Sequence, residues 1–433
     1  MKIFLTGASG FIGGHLLNAL SARGHEVTCL LRGIAAKQMR SMLLPGVTLL
    51  EGDFTRPETW LSQVSGHDAV VNTVGIIRET HAATFEQVHE KAPIALFAEA
   101  LRAGVKKIVQ VSALGADEKA VSRYHLSKRA ADTFLAEHCG IASATSYVVL
   151  RPSFVYGPQD QSMAFFLSMA AQPVTAVPGD GKYLVQPIYI TDLVRALVAS
   201  IERSELQNMT QDAGGAGTLS FDEMLDVLAR RLNKPRALKY HVPWFLMNFI
   251  AGVTDFLGGH GPITSDELGM LRRGNLCSAE QARLFVERFD FQPIPFEAGM
   301  ERRPLSKQDI WSARLNPLRI PLRLSVAFIW IATGVISACI SQTEGLRLLE
   351  QVGLTGMAAT FAMFGTSIFE IIIGLATALG IRVRLMGIVQ LVLMFGFMGI
   401  LSAKMPELWW HPFGALTKNI PLIGATLVMM AWE

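Results

Sequence analysis

The stretch Thr6-Gly7-Ala8-Ser9-Gly10-Phe11-Ile12-Gly13-Gly14 constrains this chain more than any other. It stands between a short apolar run over residues 2–5 and an apolar pattern of helical period that continues to Ala22. Strand, glycine turn and helix follow in that order. Glycines at 7, 10 and 13 permit a tight turn, let backbone approach a pyrophosphate closely, and let the helix lie against the strand. The helix N-terminus then offers unpaired N–H groups and the positive end of its dipole to an anion. Residues 26–31 supply a second strand at the spacing of a dinucleotide-binding unit.

That second strand ends at Arg32, about 20 residues beyond the glycines, where such a unit meets the adenosine ribose. An acid there would bind the free 2′-hydroxyl of NAD(H), whereas a guanidinium suits the 2′-phosphate of NADP(H). NADP(H) is therefore the expected cofactor, with NAD(H) the alternative and Lys37 and Arg40 as further cations. A solvated loop charge is the plainer role open to Arg32. Strand-like runs recur at residues 47–50, 69–72, 107–111 and 146–150, most of them separated by helix-length periodicity. This alternation predicts an α/β fold with a doubly wound parallel Rossmann sheet. Asp53 follows the third run, where it can accept a hydrogen bond from an adenine amine or simply cap its own turn.

Tyr124-His125-Leu126-Ser127-Lys128 sets a phenol and an ammonium four residues apart, on one face of a helix. A neighbouring ammonium stabilises phenolate and lowers the phenol pKa from about 10 toward working pH, which would make Tyr124 a proton donor to a carbonyl receiving hydride. Ser112, ending the strand before this helix, stands where its hydroxyl can reach the same oxygen. No metal-ligand cluster is evident.

Together with the glycine turn, this constellation resembles the short-chain dehydrogenase/reductase superfamily in its extended and atypical, epimerase/dehydratase-like branches. The resemblance spans roughly residues 1–300. It includes Val70-Val71-Asn72-Thr73-Val74-Gly75, Val111-Ser112-Ala113 and Leu150-Arg151-Pro152-Ser153-Phe154-Val155-Tyr156-Gly157-Pro158. Within that superfamily, three stretches look like the group around the 39 kDa accessory subunit of respiratory complex I. They are Val88-His89, Gln186-Pro187-Ile188-Tyr189-Ile190-Thr191-Asp192-Leu193 and Gly261-Pro262-Ile263-Thr264-Ser265-Asp266-Glu267. The resemblance implies Gly7, Gly10, Phe11, Ile12 and Gly13 around the pyrophosphate, and Ser112, Tyr124 and Lys128 at the nicotinamide. It places Pro152, Ser153 and Val155 near the carboxamide. Thr6, Ser9, Arg32, Asp53, Phe54, Val74 and Gly75 complete the expected cofactor-binding set. It also implies that such a domain can hold NADPH without turning it over.

Residues 1–158 thus read as the cofactor-binding core and 159–305 as a smaller substrate lobe of the same unit. In that lobe Ser220-Phe221-Asp222-Glu223 is a capping box opening a helix that runs to Leu232. Residues 243–257 are strongly apolar, broken by Asn248 and Asp255, and too short to span a bilayer. They suit a buried helix, a membrane-interface segment or the wall of an apolar pocket.

Composition matters for the remainder. At 50% hydrophobic and 17% charged residues, with a mean hydropathy of +0.34, the chain is too apolar to be wholly soluble. The long apolar runs fall after Arg323. Four of them, at 324–340, 357–379, 385–403 and 420–432, predict an all-α four-helix transmembrane domain over residues 324–433 behind a basic linker, 306–323. Lys307, Arg314, Arg319 and Arg323 precede the first run, and Arg382 and Arg384 lie between the second and third. The positive-inside rule then puts both termini in the cytoplasm, at an inner membrane. The opening residues agree, since they lack a signal-peptide apolar region. Trp409, Trp410 and Phe413 read as an interfacial aromatic belt, and the stretch from His411-Pro412-Phe413-Gly414 to Leu422 resembles the DoxX-like membrane family. Glu370 lies within the second run, where a carboxyl is expected to be protonated or paired, with Gln390 on the next run as candidate partner.

A net charge of +3, with no Lys/Arg-rich run interleaved with aromatics, argues against nucleic acid as a partner. The four cysteines are scattered, which suits reduced thiols and neither a zinc site nor a disulfide framework. The expected function is a membrane-anchored NADP(H)-dependent oxidoreductase acting on a carbonyl or alcohol of a lipophilic, quinone- or isoprenoid-related substrate. The alternatives are a non-catalytic NADP(H)-holding module of a membrane complex and an NADP(H) redox sensor. A homo-oligomer or a membrane complex is the expected protein partner.

Overall fold

Alternation along the central strands decides the architecture. In β1 (Lys2–Thr6), Ile3 and Leu5 point into one apolar cluster and Phe4 into another. The same division splits Val71 from Val70 in β4 (Ala69–Asn72), Val109 from Ile108 in β5 (Lys107–Val111), and Val148 from Val149 in β6 (Ser146–Pro152). A sheet apolar on both faces must be covered on both. Helices α1 (Phe11–Ala22) and α5 (Ile190–Glu202) pack on one side, and α2 (Ala92–Arg102) and α3 (Arg123–His138) on the other. A further helix, α4 (Gln161–Ala170), belongs to the first side.

The computed structural model describes every residue except 34–43, 81, 141–142, 257–262, 413 and 433. Lys37, Arg40, the Gly261-Pro262 pair and Phe413 therefore lie outside the described residues. With β2 (Glu26–Leu31) and β3 (Val47–Glu51), the main sheet has seven strands. Their order is Met209–Ala213, β6, β5, β4, β1, β2, β3, and every pairing is parallel. The strand order reverses between β1 and β4, which opens a crevice at their carboxyl ends, where ligands bind in such sheets. Six of these strands match the expected runs. The seventh reads Met-Thr-Gln-Asp-Ala, too polar for hydrophobic periodicity to mark.

The chain divides into two compact units, Met1–Ala313 and the residues from Arg314 onward. In the first unit, the lobe beyond the core contains α6 (Phe221–Arg231), opened by the expected capping box, α7 (Trp244–Phe256) and α8 (Ser265–Arg273). Among the described residues, three helical runs are long and apolar enough to cross a membrane: Lys307–Ile340, which begins just before the boundary of the second unit, Gly356–Ala378 and Val383–Lys404. The fourth expected span is the shorter helix Asn419–Trp432. The loop expected after the first span contains a helix instead, Gln342–Gln351.

Arg319–Val335 and Gly356–Ala378 cross tightly, because a Cβ on Gly334 would lie 2.5 Å from Ser367 O and one on Gly374 3.0 Å from Ala327 O. Small residues at such crossings let helix backbones approach in an apolar medium. The expected Glu370–Gln390 pair does not form. Gln390 Nε2 donates to Thr377 Oγ1 at 2.8 Å, the hydroxyl on the neighbouring helix that the sequence left out of account.

Candidate active site

The glycine turn occupies the crevice. Gly7 has φ +84°, a conformation side chains resist, and a Cβ there would meet Thr73 Oγ1 at 2.5 Å. Gly10 N donates to Gly7 O at 2.9 Å, and α1 starts at Phe11 with no acidic residue in its first turn and no side chain capping Gly10. The first N–H groups of α1 are thus left for an anion. Ser9 and Gly10 are exposed, Phe11 and Ile12 half-buried, and Gly13 buried. This cradle fits a dinucleotide pyrophosphate.

The flanking polar residues brace it. Thr6 Oγ1 donates to Asn72 Oδ1 at 2.7 Å, Val74 N donates to the same oxygen at 3.1 Å, and Asn72 Nδ2 donates to Gln110 Oε1 at 2.8 Å. These bonds tie the carboxyl ends of β1, β4 and β5. The expected Thr6 is therefore a buried support whose side chain is already engaged.

Arg32 is exposed immediately after β2. Asp53 accepts from Thr55 N at 3.0 Å and Thr55 Oγ1 at 2.8 Å, so its Oδ1 caps the turn. Burial raises the pKa of this carboxyl, but the Thr55 donors and the charges of Arg32 and Arg56 outweigh that effect and hold it below the usual range. The Phe54 ring is buried and stacks on Trp60 with centroids 5.9 Å apart.

Ser122 Oγ caps α3, accepting from His125 N at 3.2 Å. Tyr124 and Lys128 stand one turn apart on this helix, and the lysine reaches the carboxyl ends of β4 and β5. Lys128 Nζ donates to Val74 O at 3.1 Å and Val111 O at 3.3 Å, passing over Gly75, where a Cβ would sit 3.2 Å from that nitrogen. Burial pulls the Lys128 pKa down to about 8, against the opposing pull of Asp132.

Tyr124 departs from expectation. Burial pushes its phenol up to about 12, so desolvation, rather than the nearby ammonium, sets the sign of the shift. Its ring packs edge-on against Phe85, His89 and His125.

Ser112 is also differently engaged. Its hydroxyl donates to Asp132 Oδ2 at 2.7 Å, and the same oxygen meets Arg151 Nε at 3.0 Å. Burial lifts Asp132 to about 6 against Arg151, Ser112 and Lys128. Ser112 therefore braces α3 against β5, its hydroxyl hydrogen engaged by Asp132. Ser153 likewise donates to Gln186 O, and Phe154 N donates to Asn275 Oδ1 at 2.7 Å, which ties the segment Pro152 to Val155 to the lobe.

Sequence reading missed the role of His89. Its buried Nε2 accepts from Ile76 N at 2.9 Å, so the ring proton sits on Nδ1, 3.1 Å from Ser127 Oγ. Ser127 in turn donates to Tyr124 O at 2.8 Å. Burial, reinforced by Lys128, drives the His89 pKa to about 2 and keeps the ring neutral. The chain of donors fixes the backbone that carries Tyr124. Asp132 was missed too, although its position four residues after Lys128 puts it on the same helix face.

The fold and site define a nucleotide-binding α/β protein with a helical apolar unit behind it, and known proteins agree. Residues 3–210 match the NAD dependent epimerase/dehydratase family, and residues 327–427 match the DoxX-like family. The chain thus joins an epimerase/dehydratase domain to a DoxX-like domain and is a membrane protein. The ceramide reductase of Caulobacter vibrioides is 29% identical over 198 residues, covering 46% of this chain and 60% of that protein. The NADH dehydrogenase [ubiquinone] 1 alpha subcomplex subunit 9, mitochondrial, of Arabidopsis thaliana is 26% identical over 261 residues, covering 58% and 62%. The chain thus spans about three fifths of the length of these relatives. The fold is shared with UDP-glucose 4-epimerase of Thermotoga maritima, with a TM-score of 0.53 at 19% identity over 70% of this chain and 96% of that one.

Proposed function

We propose that this protein is a membrane-anchored, NADP(H)-dependent oxidoreductase of the short-chain dehydrogenase/reductase type. In this reading it interconverts a carbonyl and an alcohol on a lipophilic, quinone- or isoprenoid-related molecule at the cytoplasmic face of an inner membrane. The observation that carries the reading is the union of the glycine cradle on α1 with Tyr124 and Lys128, one turn apart on α3 beside Gly75. When bound, NADP(H) supplies or accepts the hydride. Tyr124 Oη would pass a proton to the substrate oxygen, and Lys128 would hold positive charge beside it. His89 and Ser127 would keep Tyr124 in place.

A lipophilic substrate is supported by the apolar helices, which concentrate such molecules beside the unit, and by the relative named for ceramide. The test is lipid and metabolite profiling of a deletion strain. A carbonyl or alcohol species should accumulate with its redox partner depleted, and identical profiles in mutant and wild type would refute turnover.

The preference for NADP(H) rests on Arg32 at the end of β2. Arg32→Asp is expected to weaken NADPH binding by roughly tenfold or more, the ~1.5–3 kcal/mol of a charged hydrogen bond, and to leave NADH binding unchanged or improved. Direct titration of both nucleotides decides it, and equal affinities in wild type and variant would remove the preference.

A second reading, a module that holds the nucleotide for a membrane complex, is favoured by the engagement of Ser112 with Asp132 and by the raised Tyr124 pKa. The likeness to a subunit of NADH dehydrogenase supports it as well.

A further inference from the structure

Helix α7 has two unlike faces. Met247, Ala251 and Thr254 are buried, with Met247 and Ala251 packed beside Leu268 of α8. Phe245, Leu246, Phe249, Val253 and Phe256 stand in solvent, exposed by 75%, 38%, 68%, 42% and 89%. At about 100° per residue these five fall in one arc about 100° wide, and every member is apolar. Asn248 and Asp255 lie outside it, and Asp255 is the helix's one charged residue.

Three phenylalanines aligned on water make a costly surface unless something covers them. The helix has 13 residues, too few to cross a bilayer, which needs about 20. One with a continuous apolar arc instead suits the boundary between headgroups and acyl chains, lying in the membrane plane.

We infer that the exposed arc of α7 seats in the surface of the bilayer that holds the C-terminal helices. Chain connectivity argues for lipid as the cover. Only residues 314–318 separate Ala313 from the apolar helix that begins at Arg319. They are helical, within the run Lys307–Ile340, and at ~1.5 Å per residue they span less than ~10 Å, so the effective concentration of lipid at this unit is high.

Charge agrees. Arg272 is exposed against the ring of Trp244, its guanidinium 5.8 Å from the centroid. On the strand Leu238–Val242 that leads into α7, Tyr240 is exposed too. Cations and aromatics around an apolar arc suit anionic headgroups and the interfacial zone.

The docked helix is coupled to the crevice. Asp255 accepts from Ser265 N at 3.3 Å, at the start of α8. On α8, Glu267 holds Arg78 at 2.6 Å and Asp266 accepts from Arg123 N at 3.1 Å, beside Tyr124. These contacts link α7 through α8 to the start of α3, the turn that carries Tyr124.

The test uses the full chain in nanodiscs of phosphatidylethanolamine and phosphatidylglycerol, with p-benzoylphenylalanine at position 249, 256 or, as a control, 248. Positions 249 and 256 are expected to gain the mass of one phospholipid on irradiation, several-fold above position 248. Adducts joining two copies, adducts to the chain's own helical unit, or no adducts would each overturn the inference. They would signify self-association, an internal cover and a water-facing surface respectively. None of these outcomes depends on turnover, so the result stands apart from the proposed chemistry.

Discussion

Gly13→Ala is expected to abolish dinucleotide binding, while Gly14→Ala, one residue along the same helix, leaves it intact. A Cβ on Gly13 would lie 2.1 Å from Gly7 O, 2.6 Å from Gly7 C and 2.6 Å from Thr73 Oγ1. None of these atoms can yield cheaply. Gly7 O accepts from Gly10 N at 2.9 Å, and Thr73 Oγ1 donates to Thr6 O at 2.8 Å, so relief requires opening the turn or pushing α1 off the sheet. Overpacking of this kind costs ~1–3 kcal/mol and sometimes more. The loss of affinity is larger, because the N–H groups of α1 move away from the anion they would bind. Two hydrogen bonds to a charged group, at ~1.5–3 kcal/mol each, correspond to roughly 10²–10⁴-fold in NADPH affinity. At Gly14 the nearest atom to a new Cβ is Ala8 O at 3.4 Å, ordinary contact, and alanine in a helix is favoured over glycine by about 1 kcal/mol. Calorimetric titration with NADPH and thermal unfolding of both variants check the pair. Wild-type affinity in Gly13→Ala would show that the turn does not carry the nucleotide.

The glycine cradle was legible because steric exclusion is local, and the spacing of Gly7, Gly10 and Gly13 already states which backbones must approach. The doubly wound sheet was legible for a similar reason, since runs such as Ile3-Phe4-Leu5 are apolar on both faces. Features that depend on a partner from elsewhere in the chain were not. Ser112 follows its strand directly, but Asp132, brought in by α3 and itself held by Arg151 of β6, accepts from its hydroxyl. Lys128 four residues after Tyr124 suggested a lowered phenol pKa. Tertiary packing by Phe85, His89 and His125 desolvates the phenol and reverses the sign. The edge strand Met209–Ala213 escaped detection because its residues are chosen for polar contacts, such as Gln211 Nε2 donating to Gln281 O at 2.9 Å. Gln390 was named as the partner of Glu370, but a helical pattern cannot say which polar side chain of the neighbouring helix, Glu370 or Thr377, it meets.

Tyr124→Phe should lower turnover by ~10²–10⁴-fold, the usual contribution of a positioned proton donor, with NADPH affinity unchanged. The substitution removes one oxygen. Its ring contacts with Phe85, His89 and His125 are those of phenylalanine, and the bond that fixes the helix here uses the backbone carbonyl of Tyr124, which remains. A merely structural role for the phenol would thus leave rate and stability nearly intact. The pH profile supplies a second readout. Lys128 titrates near 8, below the usual lysine range, so it is charged below that pH and neutral above it. With the phenol raised to about 12 and Asp132 at about 6, the ammonium is the group of this cluster that changes charge near pH 8. Carbonyl reduction by wild type should therefore fall as pH rises through about 8, and Lys128→Met should flatten that limb at a low rate. The linkage to stability has the opposite slope. A lysine whose folded pKa is depressed below 10.5 leaves the unfolded chain binding more protons between the two values, so its unfavourable contribution shrinks as pH rises from about 8 toward about 10. Activity lost while stability rises over the same interval would separate chemistry from unfolding. Full turnover in Tyr124→Phe would instead remove the phenol as the proton donor.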